Sequence, residues 1–175
     1  MACSGDTIQT EYDGSKARAP DNVGAGSTWG QSFQIPDDAD ICAASIYGGQ
    51  GTVGARGTFK FEIATAWTGG TVLATTGSLS DSEFGNLWTS AAWNKIEFTA
   101  VASLTASTTY YLRCVGLTGG IDIFRTTIEN VNNYANGNLY IDATSYPAWE
   151  MLFRIHGVAG GPAAQTARRG VIMMM

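Results

Sequence analysis

Apolar and polar residues alternate along most of this chain with a period of two, the period of a β-strand with one buried face. Phe59, Phe61 and Ile63 alternate with Lys60, Glu62 and Ala64, which predicts a strand with one wet face. Ile96 and Phe98 stand opposite Lys95 and Glu97 in the run from Trp93 to Thr99, and Met151, Phe153 and Ile155 alternate in the last run, from Trp149 to His156. In Thr109 to Val115, Tyr110, Leu112 and Cys114 face one way and Tyr111, Arg113 and Val115 the other. Both faces of that strand are therefore expected to be partly covered. Shorter runs at 29–35, 41–47, 72–75, 121–128 and 139–141 are divided by Gly, Asn, Asp and Pro punctuation, giving eight or nine strands in all. A long amphipathic helix is missing from the pattern. The stretch 79–88 carries Asp81, Glu83 and Gly85 and reads as a loop.

This spacing predicts an all-β chain with an antiparallel sandwich or barrel over residues 28–157. Residues 1–27 are polar, with Pro20, Asn22, Gly24 and Gly26 as breakers, and read as an N-terminal arm. Within it, Thr7 to Tyr12 alternates well enough for Ile8, Thr10 and Tyr12 to ride on a strand added to an exposed sheet edge. Residues 158–175 read as a C-terminal tail, a Gly/Pro/Ala leash with Arg168 and Arg169 that ends in Val171, Ile172, Met173, Met174 and Met175. An apolar plug of that kind is expected to bury itself against a partner, where adaptable thioethers suit an irregular groove.

Composition narrows the class. Only 14% of the 175 residues are charged and 22 are Gly, against a usual charged share of about a quarter, which excludes a disordered polyelectrolyte, a coiled coil and a charged helical bundle. The net charge of -5 and the absence of a basic stripe argue against nucleic acid, which needs clustered Lys and Arg. No run approaches the roughly 20 apolar residues of a membrane-spanning helix, and the first residues lack the charged and apolar regions of a signal peptide. No membrane association and synthesis in a cytoplasm are the expectations. Cys3, Cys42 and Cys114 are odd in number and widely spaced, which suggests neither a disulfide framework nor a metal site. Cys42 and Cys114 read as small core residues.

Several runs occur in a set order: Gly30-Gln-Ser-Phe33, Phe59-Lys-Phe-Glu-Ile63, Gly70-Thr-Val-Leu-Ala74, Leu104-Thr-Ala-Ser-Thr-Thr-Tyr-Tyr-Leu112, Tyr134-Ala-Asn-Gly-Asn-Leu139 and Leu152-Phe-Arg-Ile-His-Gly157. Together they resemble the jelly-roll β-sandwich domains, similar to galactose-binding-like modules, of tailed-bacteriophage virion proteins and bacterial surface proteins. The resemblance implies a jelly roll over residues 28–157 and a structural or attachment role. With the arms, it points to a capsid decoration or cement protein located in the virion. Its expected partners are a major capsid protein or further copies of itself as a homo-oligomer, reached through the arm residues named above. The alternative it carries is a glycan- or receptor-binding module of a tail, a fibre or a bacterial surface.

Candidate chemistry is sparse. His156 is the single histidine, so no nucleophile-and-base set can be assembled from spacing, and the acidic residues are scattered among turns and wet strand faces. A non-enzymatic protein without a cofactor is expected. Asp37, Asp38 and Asp40 share one Pro-led loop and are a weak calcium candidate, turn formation being the simpler role. Trp67, Trp88, Tyr134, Tyr146 and Trp149 lie at or near turns and are the candidates for a glycan platform.

Overall fold

The computed structural model describes residues 5–14, 20–23, 25–50, 57–80, 92–119, 124–129 and 134–160. The described strands are β1 (Thr7–Tyr12), β2 (Pro20–Val23), β3 (Thr28–Phe33), β4 (Ala39–Gln50), β5 (Gly57–Ala64), β6 (Val72–Thr75) and β7 (Leu79–Ser80). They continue with β8 (Ala92–Leu104), β9 (Tyr110–Gly119), β10 (Phe124–Glu129), β11 (Leu139–Ile141), β12 (Thr144–Tyr146), β13 (Glu150–Met151) and β14 (Phe153–Ala159). Every ladder between them is antiparallel. The chain is an all-β sandwich of two such sheets.

In the first sheet the order is β1-β14-β4-β10-β13, with β8 on the other side of β4 and β2 beside β10. In the second it is β12-β11-β3-β9-β5-β6, with β7 also on β5. Alternation explains why these strands face each other. Trp29 and Phe33 of β3, Phe59, Phe61 and Ile63 of β5, and Phe153 and Ile155 of β14 all turn into one core. Phe33 packs against Phe153 with ring centroids 6.1 Å apart, and Tyr134 meets Phe153 edge-on at 5.2 Å. Burying each such side chain stabilises the fold by roughly 1.5–3 kcal/mol.

Between β8 and β9 the chain leaves the first sheet and enters the second. Leu104 ends β8 in the core, and Ser107 takes the left-handed conformation (φ 56°) that the tight turn requires. The corner is pinned by the Thr105 N–H, which donates to the Tyr110 hydroxyl at 3.0 Å.

Three expectations need correction. The 1–27 segment is not uniformly an arm: β1 pairs with β14 of the same chain from Thr7↔Gly157 to Tyr12↔Phe153, and β2 pairs with β10. Alternation revealed the strand but not its partner. The last strand likewise runs to Ala159, opposite Ala39, and the Gly160 N–H donates to the Asp38 carbonyl, so the sheet extends past residue 157. Finally, Cys42 is held in a disulfide rather than being a free core thiol. It occupies a β-bulge, because β4 shifts register between Ile41 and Ala43 against β8. The extra residue moves the inward set from Ala39 and Ile41 to Ala44 and Ile46. Cys114 is buried and free, and burial pushes its thiol far up from its ordinary value.

Candidate functional site

The outer face of the second sheet carries a row of side chains that its register sets side by side. Glu62 of β5 is opposite Arg113 of β9, Arg113 is opposite Gly30 of β3, and Gly30 is opposite Tyr140 of β11. A side chain at Gly30 would run into the Leu112 carbonyl, its Cβ only 2.0 Å away. The position therefore demands glycine.

Glu62 is buried and bridges two cations, Lys60 Nζ at 2.6 Å and the Arg113 Nη2. Charge-assisted contacts of this kind hold a guanidinium in a fixed plane. Arg113 Nη1 also donates to the Trp67 carbonyl at 3.0 Å, while its buried Nε has no hydrogen-bond partner. Trp67, in the loop after β5, is stacked on Tyr140 with centroids 4.9 Å apart and 28° between planes, and it lies 6.4 Å from Tyr111. Its indole N–H donates to the Asp142 carbonyl. Asp142 has φ 50° and accepts the Thr28 N–H on its carboxylate at 2.8 Å, tying the β11–β12 turn to the start of β3.

Trp67, Arg113, Glu62, Lys60, Thr28 and Asp142 thus surround a cleft of about 450 Å³. On the far side of the Tyr111–Tyr140 pair, whose rings meet edge-on at 5.5 Å, a second depression of about 360 Å³ is lined by Ser32, Gln34, Thr109, Asn136 and Asn138. Burial first, and then the nearby Tyr140, raises the titration of the Tyr111 hydroxyl above its ordinary value. Both hollows combine aromatic surface with fixed donors and acceptors, the makeup of a small-molecule site.

Of the described aromatic residues predicted for a glycan platform, only Trp67 lines this cleft. Tyr134 is 7% exposed and belongs to the core, where its hydroxyl meets Thr10 Oγ1 at 3.1 Å; it offers no platform. Tyr146 and Trp149 pack on each other at 5.7 Å and against the core. Trp88 lies outside the described residues. Sequence reading missed Tyr111, Tyr140, Glu62 and Arg113, although the wet-face alternation of β5 and β9 carried a signal for them.

Two of the three calcium candidates have protein partners of their own. Asp38 Oδ1 accepts the Ala106 N–H at 2.8 Å, Asp40 Oδ1 accepts the Ser103 hydroxyl at 2.6 Å, and Asp37 is exposed. Among the described residues no group of three or more His, Cys, Asp and Glu is arranged to hold a metal, and no described helix is long and apolar enough to cross a membrane. Of the arm residues, Tyr12 is in the core, Thr10 bonds Tyr134 and Ile8 is 44% exposed. Arg168, Arg169, Val171, Ile172 and Met173 to Met175 lie outside the described residues.

The fold also assembles a set that spacing did not show. Ser45 Oγ lies 2.7 Å from His156 Nε2, and Asp6 Oδ2 lies 3.8 Å from His156 Nδ1. The order is that of a hydrolase triad, but the geometry differs. A separation of 3.8 Å is too long for the orienting hydrogen bond, and Asp6 instead pairs with Lys95 Nζ at 2.6 Å. Ser45 is 3% exposed in the middle of β4, laddered to Arg154 on one side and Lys95 on the other, which encloses its hydroxyl within the sheet instead of presenting it to a cleft. Burial, and next the charge of Lys95, lower the His156 titration while Asp6 opposes them.

No protein-family model and no curated protein sequence matches the chain.

Proposed function

We propose that this chain is a non-enzymatic module of a bacteriophage virion that holds a glycan in the cleft beside Trp67. The virion assignment rests on the ordered strand motifs and the low charge, and the ligand class rests on the cleft. One observation carries the latter: an indole fixed by its Tyr140 stack and its Asp142 bond, next to the Glu62–Arg113 pair. A pyranose has an apolar C–H face and a rim of hydroxyls. The ring face meets the first, and the charged pair meets the second with donors and acceptors that need no reordering.

Wild-type protein on a glycan array should bind at least one carbohydrate, with Trp67→Ala weakening that binding tenfold or more in calorimetry while the far-ultraviolet spectrum stays β-rich. An array silent for the wild type removes the glycan reading.

A second reading, a capsid decoration or cement protein that contacts a major capsid protein or its own copies, is favoured by a different observation. Ile8, 44% exposed, lies on β1, the outermost strand of the first sheet, and Val158, 40% exposed, lies on β14 just beyond the Thr7↔Gly157 pair. Exposed apolar residues beside an edge strand are the makings of an assembly contact. The double variant Ile8→Asp/Val158→Asp should keep the sandwich yet lose incorporation into particles. Incorporation at the wild-type level would count against contacts through this edge.

A further inference from the structure

The two hollows of the second sheet lie along the same strands. Thr28 of β3 lines the first, and Ser32 and the following Gln34 line the second, all on alternate positions with the inward Trp29, Gln31 and Phe33 between them. On β9, Arg113 and Val115 line the first while Tyr111 and the preceding Thr109 line the second. From Thr28 to Gln34 the extended chain covers about 20 Å at roughly 3.4 Å per residue. The Tyr111–Tyr140 pair stands between the hollows and borders the second, and Tyr140 is also the ring on which Trp67 stacks.

The chemistry changes along this line. At one end are the charged Lys60, Glu62 and Arg113. At the other, every polar group is a neutral amide or hydroxyl: Gln34 donates to Thr109 Oγ1 at 3.1 Å, the Asn138 N–H donates to Ser32 Oγ at 2.8 Å, and Asn136 is exposed at the turn. Gly137 lets that turn lie against β3, since a Cβ there would come within 1.8 Å of the Ser32 carbonyl. The second end is thus a built neutral surface beside an aromatic pair.

We infer that the two hollows are subsites of one groove that takes a linear, neutral oligosaccharide across the Tyr111–Tyr140 ridge, rather than a single terminal sugar. This rests on the glycan reading of the Trp67 cleft and extends it to chain length. Amides and hydroxyls serve a neutral polyol, and two subsites on one rigid sheet add their contacts without a second loss of translational freedom.

The test is calorimetry of the full-length protein against maltose-, cellobiose- and chitobiose-based series from two to six rings. In the series that binds, affinity should rise at least tenfold between two and four rings and then level off. In the double variant Gln34→Ala/Asn136→Ala the ratio of four-ring to two-ring affinity should fall towards one. Binding that depends on Trp67 but is flat with length in the wild type overturns the groove and leaves the glycan reading standing. Length dependence that survives the double variant also overturns it. Absence of binding in all three series, together with a silent array, overturns both.

Discussion

Phe153→Ala should lower the stability of the sandwich by about 3–5 kcal/mol, enough to leave a substantial unfolded population at room temperature. Phe153 is fully buried and touches both layers: it packs on Phe33 of the second sheet at 6.1 Å and receives the edge of Tyr134 at 5.2 Å. Truncation removes apolar area and also leaves a cavity that strands paired on both sides cannot close. β14 is held by β1 on one flank and β4 on the other, so its backbone has little room to move inward. Phe153→Leu should cost less, since most of the volume remains. Urea unfolding followed by tryptophan fluorescence reads both values. A loss under about 1 kcal/mol for the alanine variant would mean that the core is not centred on this contact.

The second large effect is a pH dependence opposite to that of an ion-paired carboxylate. Glu150 is fully buried; Gln31 Nε2 donates to its Oε2, and its Oε1 has no hydrogen-bond partner. Burial pushes its titration up from 4.5 to about 7, against the opposing hydrogen bonds from Gln31 and the Tyr134 backbone. Between those two values the folded chain keeps a proton that the unfolded chain has lost. Stability from this group is therefore full below pH 4.5, falls as pH rises through the window, and reaches its minimum above pH 7, a swing of about 3 kcal/mol. Glu150→Gln keeps a neutral amide in the same place and should remove that swing. The difference in unfolding free energy between variant and wild type, measured at pH 4.5, 6 and 8, should move in favour of the variant as pH rises. A difference independent of pH would show that Glu150 ionises normally in the folded chain.

Much of the sandwich was legible where one face is apolar and the other polar. β5 could be read directly from Phe59, Phe61 and Ile63 against Lys60 and Glu62, and β9 from Tyr110, Leu112 and Cys114 against Tyr111, Arg113 and Val115. β4 was harder, because the bulge at Cys42 switches the inward set from odd to even positions and so breaks the period on which the reading depends. Pairing partners were not legible at all. Nothing local to Thr7–Tyr12 says that its neighbour is β14, and Ser45 and His156 meet across 111 positions of sequence. The same limit applies to the cleft. Trp67 stood out as an aromatic residue in a Gly-flanked loop, whereas Tyr111 and Tyr140 looked like ordinary strand residues until the register placed β9 and β11 on either side of β3. Site chemistry that depends on neighbours in space can be read only after strand order is known.

The pairing of β1 with β14 also fixes a sequence of events during synthesis. Glu11 and Arg154 are joined by a 2.8 Å ion pair across 143 positions, and Tyr12 waits for Phe153 as its cross-strand partner. While the ribosome is still adding the middle of the chain, β1 and the flank of β4 that will receive β14 are both open edges. The first sheet cannot close strand by strand as it emerges; it closes when its last strand arrives and inserts between the two. Nascent chains stalled before residue 153 should therefore be protease-sensitive and prone to edge-to-edge association, with native protection arriving in one late step.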